Sequence, residues 1–164
     1  MLIDKAEIIK HREISKAVRD DKINPHITDA EELDLAPLLG ELLYNAIATT
    51  PGDHAELLEG GAYAVDGVTY TQPGLNKVLA IFAYSRYILF GSFTDTAFGF
   101  VEKSNQDSQP VGGSSKKTIY TKERQTAEAY FSKVGLYLTR KDYTNWNSCD
   151  RPASSGLRIS KITL

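Results

Sequence analysis

The sequence predicts a mainly α-helical domain. It reads as a helical bundle around a buried central helix at about 74–91, with a small β-hairpin at about 63–70, an extended loop and a C-terminal arm. Three observations predict it. Residues 73–91 are the most apolar and aromatic window of the chain. Several flanking segments repeat apolar residues at helical spacing. The helical period gives way once, at Asp66-Gly67, where β-branched and aromatic residues flank a pair suited to a type I′ turn.

The central helix comes first. Pro73 and Gly74 punctuate its start, and Gly91 stands where a C-cap glycine would stand. Leu75, Val78, Leu79, Phe82 and Arg86 form one stripe, while Ile81, Tyr84, Tyr87, Ile88 and Leu89 cover much of the rest. A helix apolar on most sides has to be surrounded by other elements. Spanning a bilayer takes about 20 apolar residues, and Lys77 and Arg86 interrupt this run. A strand is the competing reading for 81–90, and length favours the helix.

Upstream, Asp4 caps a first helix with Ile8, Ile9, Ile14 and Val18 on one side. Asn24-Pro25 is expected to stop any helix. Thr28 to Glu31 reads as a capping box, opening a short helix that carries Ala30 and Leu33. Pro37 breaks or restarts it. The next helix presents Leu38, Leu39, Leu42, Leu43, Ala46 and Ile47, with Gly40 inside it as a sign of close helix packing. After a turn at Thr49-Thr50-Pro51-Gly52, residues 53–59 add helix that ends at Gly60-Gly61. The hairpin follows, with Tyr63, Val65, Val68 and Tyr70 around Asp66-Gly67. An isolated two-stranded hairpin is marginal in water, so it must lean on the helices or on another chain.

Downstream, 92–116 reads as one long loop, anchored by Phe98, Phe100 and Val101 and mobile over Gly112 to Lys117. A last helix spans about 118–145. The organisation is therefore a single helical domain, 1–146, and an arm, 147–164. In the arm, Leu157, Ile159 and Ile162 alternate with basic and polar residues, the pattern of a strand that pairs with an edge; a frayed tail is the plainer reading.

Composition bounds the function. The net charge of -2 gives no whole-surface reason for nucleic-acid or membrane binding. Nine Tyr and six Phe suit interfaces as well as helix boundaries. One cysteine, Cys149, rules out an intrachain disulfide or a cysteine metal cluster, and fits synthesis in a reducing compartment. The N-terminus is charged too early for a secretory signal. His11, His26 and His54 lie in separate segments, and no spacing among them suits a metal or a catalytic pair. Gly112 to Lys117 lacks the first glycine and the preceding strand of a phosphate loop. Lys116, Lys117, Lys122 and Arg124 make a modest basic cluster near Tyr120, best read as a solvated helix face. The expectation is no enzyme, no metal and no cofactor.

Three stretches in order also carry a resemblance. They are Ile27 to Tyr44, Asp66 to Leu75 running into Phe82 to Tyr87, and Thr96 to Lys103. Together they resemble the small head-to-tail connector (adaptor, neck-ring) proteins of tailed bacteriophages, in the version of crAss-like phages. The resemblance implies a helical subunit of a homo-oligomeric ring, usually twelvefold, located in the virion at the head–tail junction. It implies portal, tail and neck proteins as partners, DNA nearby in the channel, and no catalytic residues. The expected contacts between chains are Tyr63, Val65, Asp66, Gly67, Val68 and Tyr70 of the hairpin, Phe98, Phe100 and Val101 of the loop, and Leu157, Ile159 and Ile162 of the arm. The alternatives are a tail-completion or terminator protein at the same neck and, more distantly, a small cytoplasmic enzyme.

Overall fold

A computed structural model describes residues 1–91, 93–96, 99–102 and 111–146, with side chains described for 1–91 and 111–146. The architecture is mainly helical, with the hairpin where the sequence put it. Helix α1 (Lys5–His11) opens as expected, with the Asp4 carboxylate accepting from the Glu7 N–H at 3.0 Å. It stops earlier than the apolar spacing suggested. Arg12 is extended, and its Nε and Nη2 donate to Glu123 at 2.8 and 2.7 Å. Ile14 is still buried, but from a non-helical connection.

The next stretch corrects two expectations. Helix α2 (Asp20–Ala30) runs straight through Pro25. Proline there removes one N–H, one turn in from the helix start, and its ring lies exposed. Complete burial of Ile23, Ile27 and Ala30 outweighs that loss. The capping box does not form, because Thr28 is already inside α2. Glu31 is instead buried and accepts from the Leu2 N–H at 2.9 Å and from the Tyr44 hydroxyl at 3.3 Å. A π turn (Glu31–Leu35) leads into α3 (Ala36–Leu39), with Pro37 in its first turn as predicted.

Gly40 is not inside a helix. It separates α3 from α4 (Glu41–Thr49) at φ 79° and ψ 155°, and an added Cβ would meet nothing within 4 Å. The glycine serves a left-handed backbone, not close packing. Leu33 and Leu42, two of the apolar positions that these helices carry, are 61% and 65% exposed. The π turn and the break at Gly40 rotate those faces outward. A 3₁₀ turn (Pro51–His54) and α5 (Ala55–Glu59) complete this half.

Strands β1 (Gly61–Val65) and β2 (Val68–Gln72) pair antiparallel, with Tyr63 opposite Tyr70 and Val65 opposite Val68. Asp66 and Gly67 take φ 52° and 77°, the positive pair that a type I′ turn requires. Helix α6 (Leu75–Phe90) is the centre of the molecule, packed by α1, α2, α5 and α7. Every residue from Val78 to Ala83 is buried. Burying Phe82 alone is worth about 1.5–3 kcal/mol. Gly91 follows in ordinary right-handed backbone, φ -71°.

The long loop is partly structured. A second antiparallel hairpin, β3 (Phe93–Thr96) and β4 (Gly99–Glu102), forms within it. Phe93, Thr94, Phe100 and Val101 supply the aromatic and β-branched content that strands favour. The expected mobile stretch Gly112 to Lys117 is instead the start of α7 (Gly113–Arg140). Helix α7 also ends before the expected 145. The Tyr143 N–H bonds back to Leu138 O at 3.0 Å and the Asp142 N–H to Thr139 O at 3.3 Å, with Asp142 left-handed at φ 46°. That is a Schellman closure.

Candidate assembly surface

The hairpin is seated on the C-terminal end of α7. Tyr63 is buried, stacked on Tyr70 with centroids 5.6 Å apart and edge-on to Tyr137 at 4.9 Å. The Arg140 guanidinium lies 3.9 Å from the centroid of Tyr70, and its Nη1 donates to the Tyr63 hydroxyl at 3.1 Å. Gln72 ties the base. Its Nε2 donates to Glu56 O at 2.7 Å, and its Oε1 accepts from the Gly74 N–H at 2.8 Å. Burial pushes the Tyr137 phenol up to about 12, helped by the nearby Glu56 carboxylate. Tyr143 is raised for the same two reasons, and its hydroxyl shares a 2.7 Å hydrogen bond with His54 Nδ1. Both phenols therefore stay protonated through neutral pH.

The opposite face and the tip are open. Ala62, Ala64, Thr69 and Thr71 are exposed, as are Asp66 and Gly67, and Val68 is half-exposed. Elsewhere, Leu33, Leu42, Phe90 and Leu136 are more than half exposed. Phe90 stacks on His26 with centroids 6.4 Å apart, and Tyr87 meets the same ring edge-on at 6.0 Å. Burial lowers the His26 pKa against the opposing pull of Asp29.

A charged lock sits deeper. Asp34, turned inward by the π turn, is buried. It accepts from Arg86 Nε at 2.6 Å, Arg86 Nη2 at 3.1 Å and Arg124 Nη1 at 2.5 Å. Arg124 also lies 5.2 Å from the Phe82 ring. The lock joins the π turn to α6 and α7.

The predicted contact residues divide three ways. Tyr63 is turned into its own subunit, and Val65 and Tyr70 are partly buried there. Asp66, Gly67 and Val68 face outward. Phe100 and Val101 lie in β4, while Phe98, Leu157, Ile159 and Ile162 lie outside the described residues. The sequence reading missed the Asp34 lock and the seat beneath the hairpin. Arg86 carried a usable signal, since a cation on a buried stripe requires a buried acid. Nothing in the sequence named Asp34 as that acid. Among the described residues, no cluster of three or more His, Cys, Asp or Glu could hold a metal ion, and no helix is long and apolar enough to cross a membrane.

One family model matches the chain over residues 35–156, that of DUF6712, a family of unknown function. The match spans most of the sequence, so the chain belongs to that family. No curated protein and no solved structure matches it.

Proposed function

We propose that this DUF6712 protein is a structural subunit of a bacteriophage head-to-tail connector, a homo-oligomeric ring in the virion between portal and tail. The observation that carries the reading is the ordered set of three connector-like stretches, 27–44, 66–87 and 96–103. The form of the molecule supports it. A rigid bundle holds a hairpin by its base and leaves Asp66, Gly67 and Val68 exposed at the tip. Leu33, Leu42, Phe90 and Leu136 add apolar area that a neighbouring chain could cover. Function in this reading is assembly. Each copy docks on its siblings, on the portal and on neck or tail proteins, with DNA passing nearby and no cofactor required.

Size-exclusion chromatography with light scattering tests this, on the chain alone and mixed with its portal protein. A high-order ring, or a monomer that assembles only on portal, is the expected result. A monomer under both conditions would overturn the proposal. Removing the last eight residues is expected to weaken ring formation or portal binding.

A further inference from the structure

Among the described residues, the β1–β2 hairpin has a bare backbone edge. With a two-residue turn, Val65 and Val68 form the first hydrogen-bonded pair, and bonded and non-bonded pairs then alternate. Ala64–Thr69 and Ala62–Thr71 are therefore the non-bonded pairs. Their N–H and C=O groups point away from the hairpin, toward its two edges. Among the described residues, none of these groups has a backbone partner beyond the hairpin. The β2 backbone approaches α7 more closely, while β1 meets it through the Tyr63 side chain, so the β1 backbone is the more open of the two edges. Natural edges are guarded by charge, proline or a bulge. The β1 sequence, Gly61-Ala62-Tyr63-Ala64-Val65, has none of these, and its regular register excludes a bulge. Ala62 and Ala64 are exposed, and their small side chains leave room for larger ones on an added strand about 4.8 Å away.

We infer that the β1 edge accepts residues 157–164 of a second copy of this chain as a third strand. The second copy rests on the ring reading above, since a ring repeats one contact between each pair of neighbouring copies. Three observations choose this occupant. First, the described chain ends at Trp146, whose Nε1 donates to Thr139 Oγ1 at 3.2 Å, at the end of α7 where Arg140 holds the hairpin. Second, residues 147–156 can span up to about 33–36 Å when extended, which lets residues 157–164 extend well beyond the end of α7. Third, residues 157–164 carry Ile159, Ile162 and Thr163 for strand propensity, and Arg158 and Lys161 with no acidic side chain. The hairpin carries Asp66 and no cation, and Glu59 precedes it. A third strand also relieves the marginal stability of a two-stranded hairpin.

The test is hydrogen exchange by mass spectrometry at Ala62 and Ala64 in the assembled full-length chain, read beside its mass. Two full-length variants accompany it. In Ile159→Pro/Ser160→Pro, adjacent amides point to opposite sides, so either register loses a donor. In Ala64→Pro, the lost N–H is outward and the hairpin ladder is kept. The expected result is exchange at Ala62 slower by about tenfold or more in the parent than in either variant, with loss of the assembled mass in both variants. Equal exchange in all three chains would overturn the pairing even if the ring still forms, leaving the ring reading intact. Protection at a monomer's mass would place the strand on its own hairpin and overturn the second-copy assignment. Circular dichroism of both variants establishes that the helical core is folded.

Discussion

Two regions fix α7 against the rest of the molecule by opposite means. Near its middle, the Asp34 carboxylate binds Arg86 and Arg124 inside the bundle. At its C-terminal end, Tyr63, Tyr70, Tyr137 and Arg140 seat the hairpin through rings and phenols. The first is a closed contact with nothing to offer outside. Two guanidiniums converge on one carboxylate, and all three groups come from separate segments of the same chain. The second is closed on one face only. Its inner residues are spent on α7, while Ala62, Ala64 and the tip remain in water. The contrast separates residues that make the fold from residues free to make an assembly.

The comparison can be broken first at the lock. Asp34→Ala leaves two partly buried guanidiniums unpaired and should cost about 3–5 kcal/mol in urea unfolding. A loss below about 1 kcal/mol would show that the arginines find water instead. At the hairpin, Gly67→Ala forces a Cβ into left-handed backbone at φ 77° and should cost about 1–2 kcal/mol by the same measurement. Arg140→Ala removes a cation–π contact and one hydrogen bond, for about 1 kcal/mol. Its hydrogen-exchange signature should be confined to β1 and β2, with the lock undisturbed.

A smaller effect should follow pH. The pKa of folded His26 lies below its ordinary value of 6.5, so the unfolded chain takes up that proton first. Its contribution is complete above pH 6.5 and is lost as the pH falls through the folded-state value. The unfolding midpoint should therefore drop from about pH 7.5 to about pH 5.5, less so in His26→Gln. Equal drops in both proteins would remove His26 as a cause. The smallest effect on stability should come from Val68→Asp at the exposed tip, within about 0.5 kcal/mol. If the tip makes contacts between chains, the same substitution should impair assembly. That outcome, beside an Asp34→Ala protein that is destabilised yet still assembles, would sharpen the division most.

Local pattern was enough for much of this fold. The central helix, the Asp4 cap and the Asp66-Gly67 turn each depend on neighbours a few residues away, and all three form as read. The errors come from effects that local pattern cannot weigh. Pro25 is tolerated because Ile23 and Ile27 are fully buried. Glu31 leaves its expected cap for the Leu2 amide, 29 positions away. Asp34 meets Arg124 across 90 positions, and Arg140 meets Tyr63 across 77. Such pairings are set by how helices stack, and one sequence does not announce them. The exposed tip residues were legible, because a type I′ turn has to project. The inward role of Tyr63 was not, because either face of a strand could have met α7.

Imaging the purified full-length protein with its portal protein by cryo-electron microscopy tests the central claim most directly. A closed ring of this chain seated on the portal, with the Asp66-Gly67 tips at subunit contacts, is the predicted result. Single copies scattered in solution beside undecorated portals would contradict it.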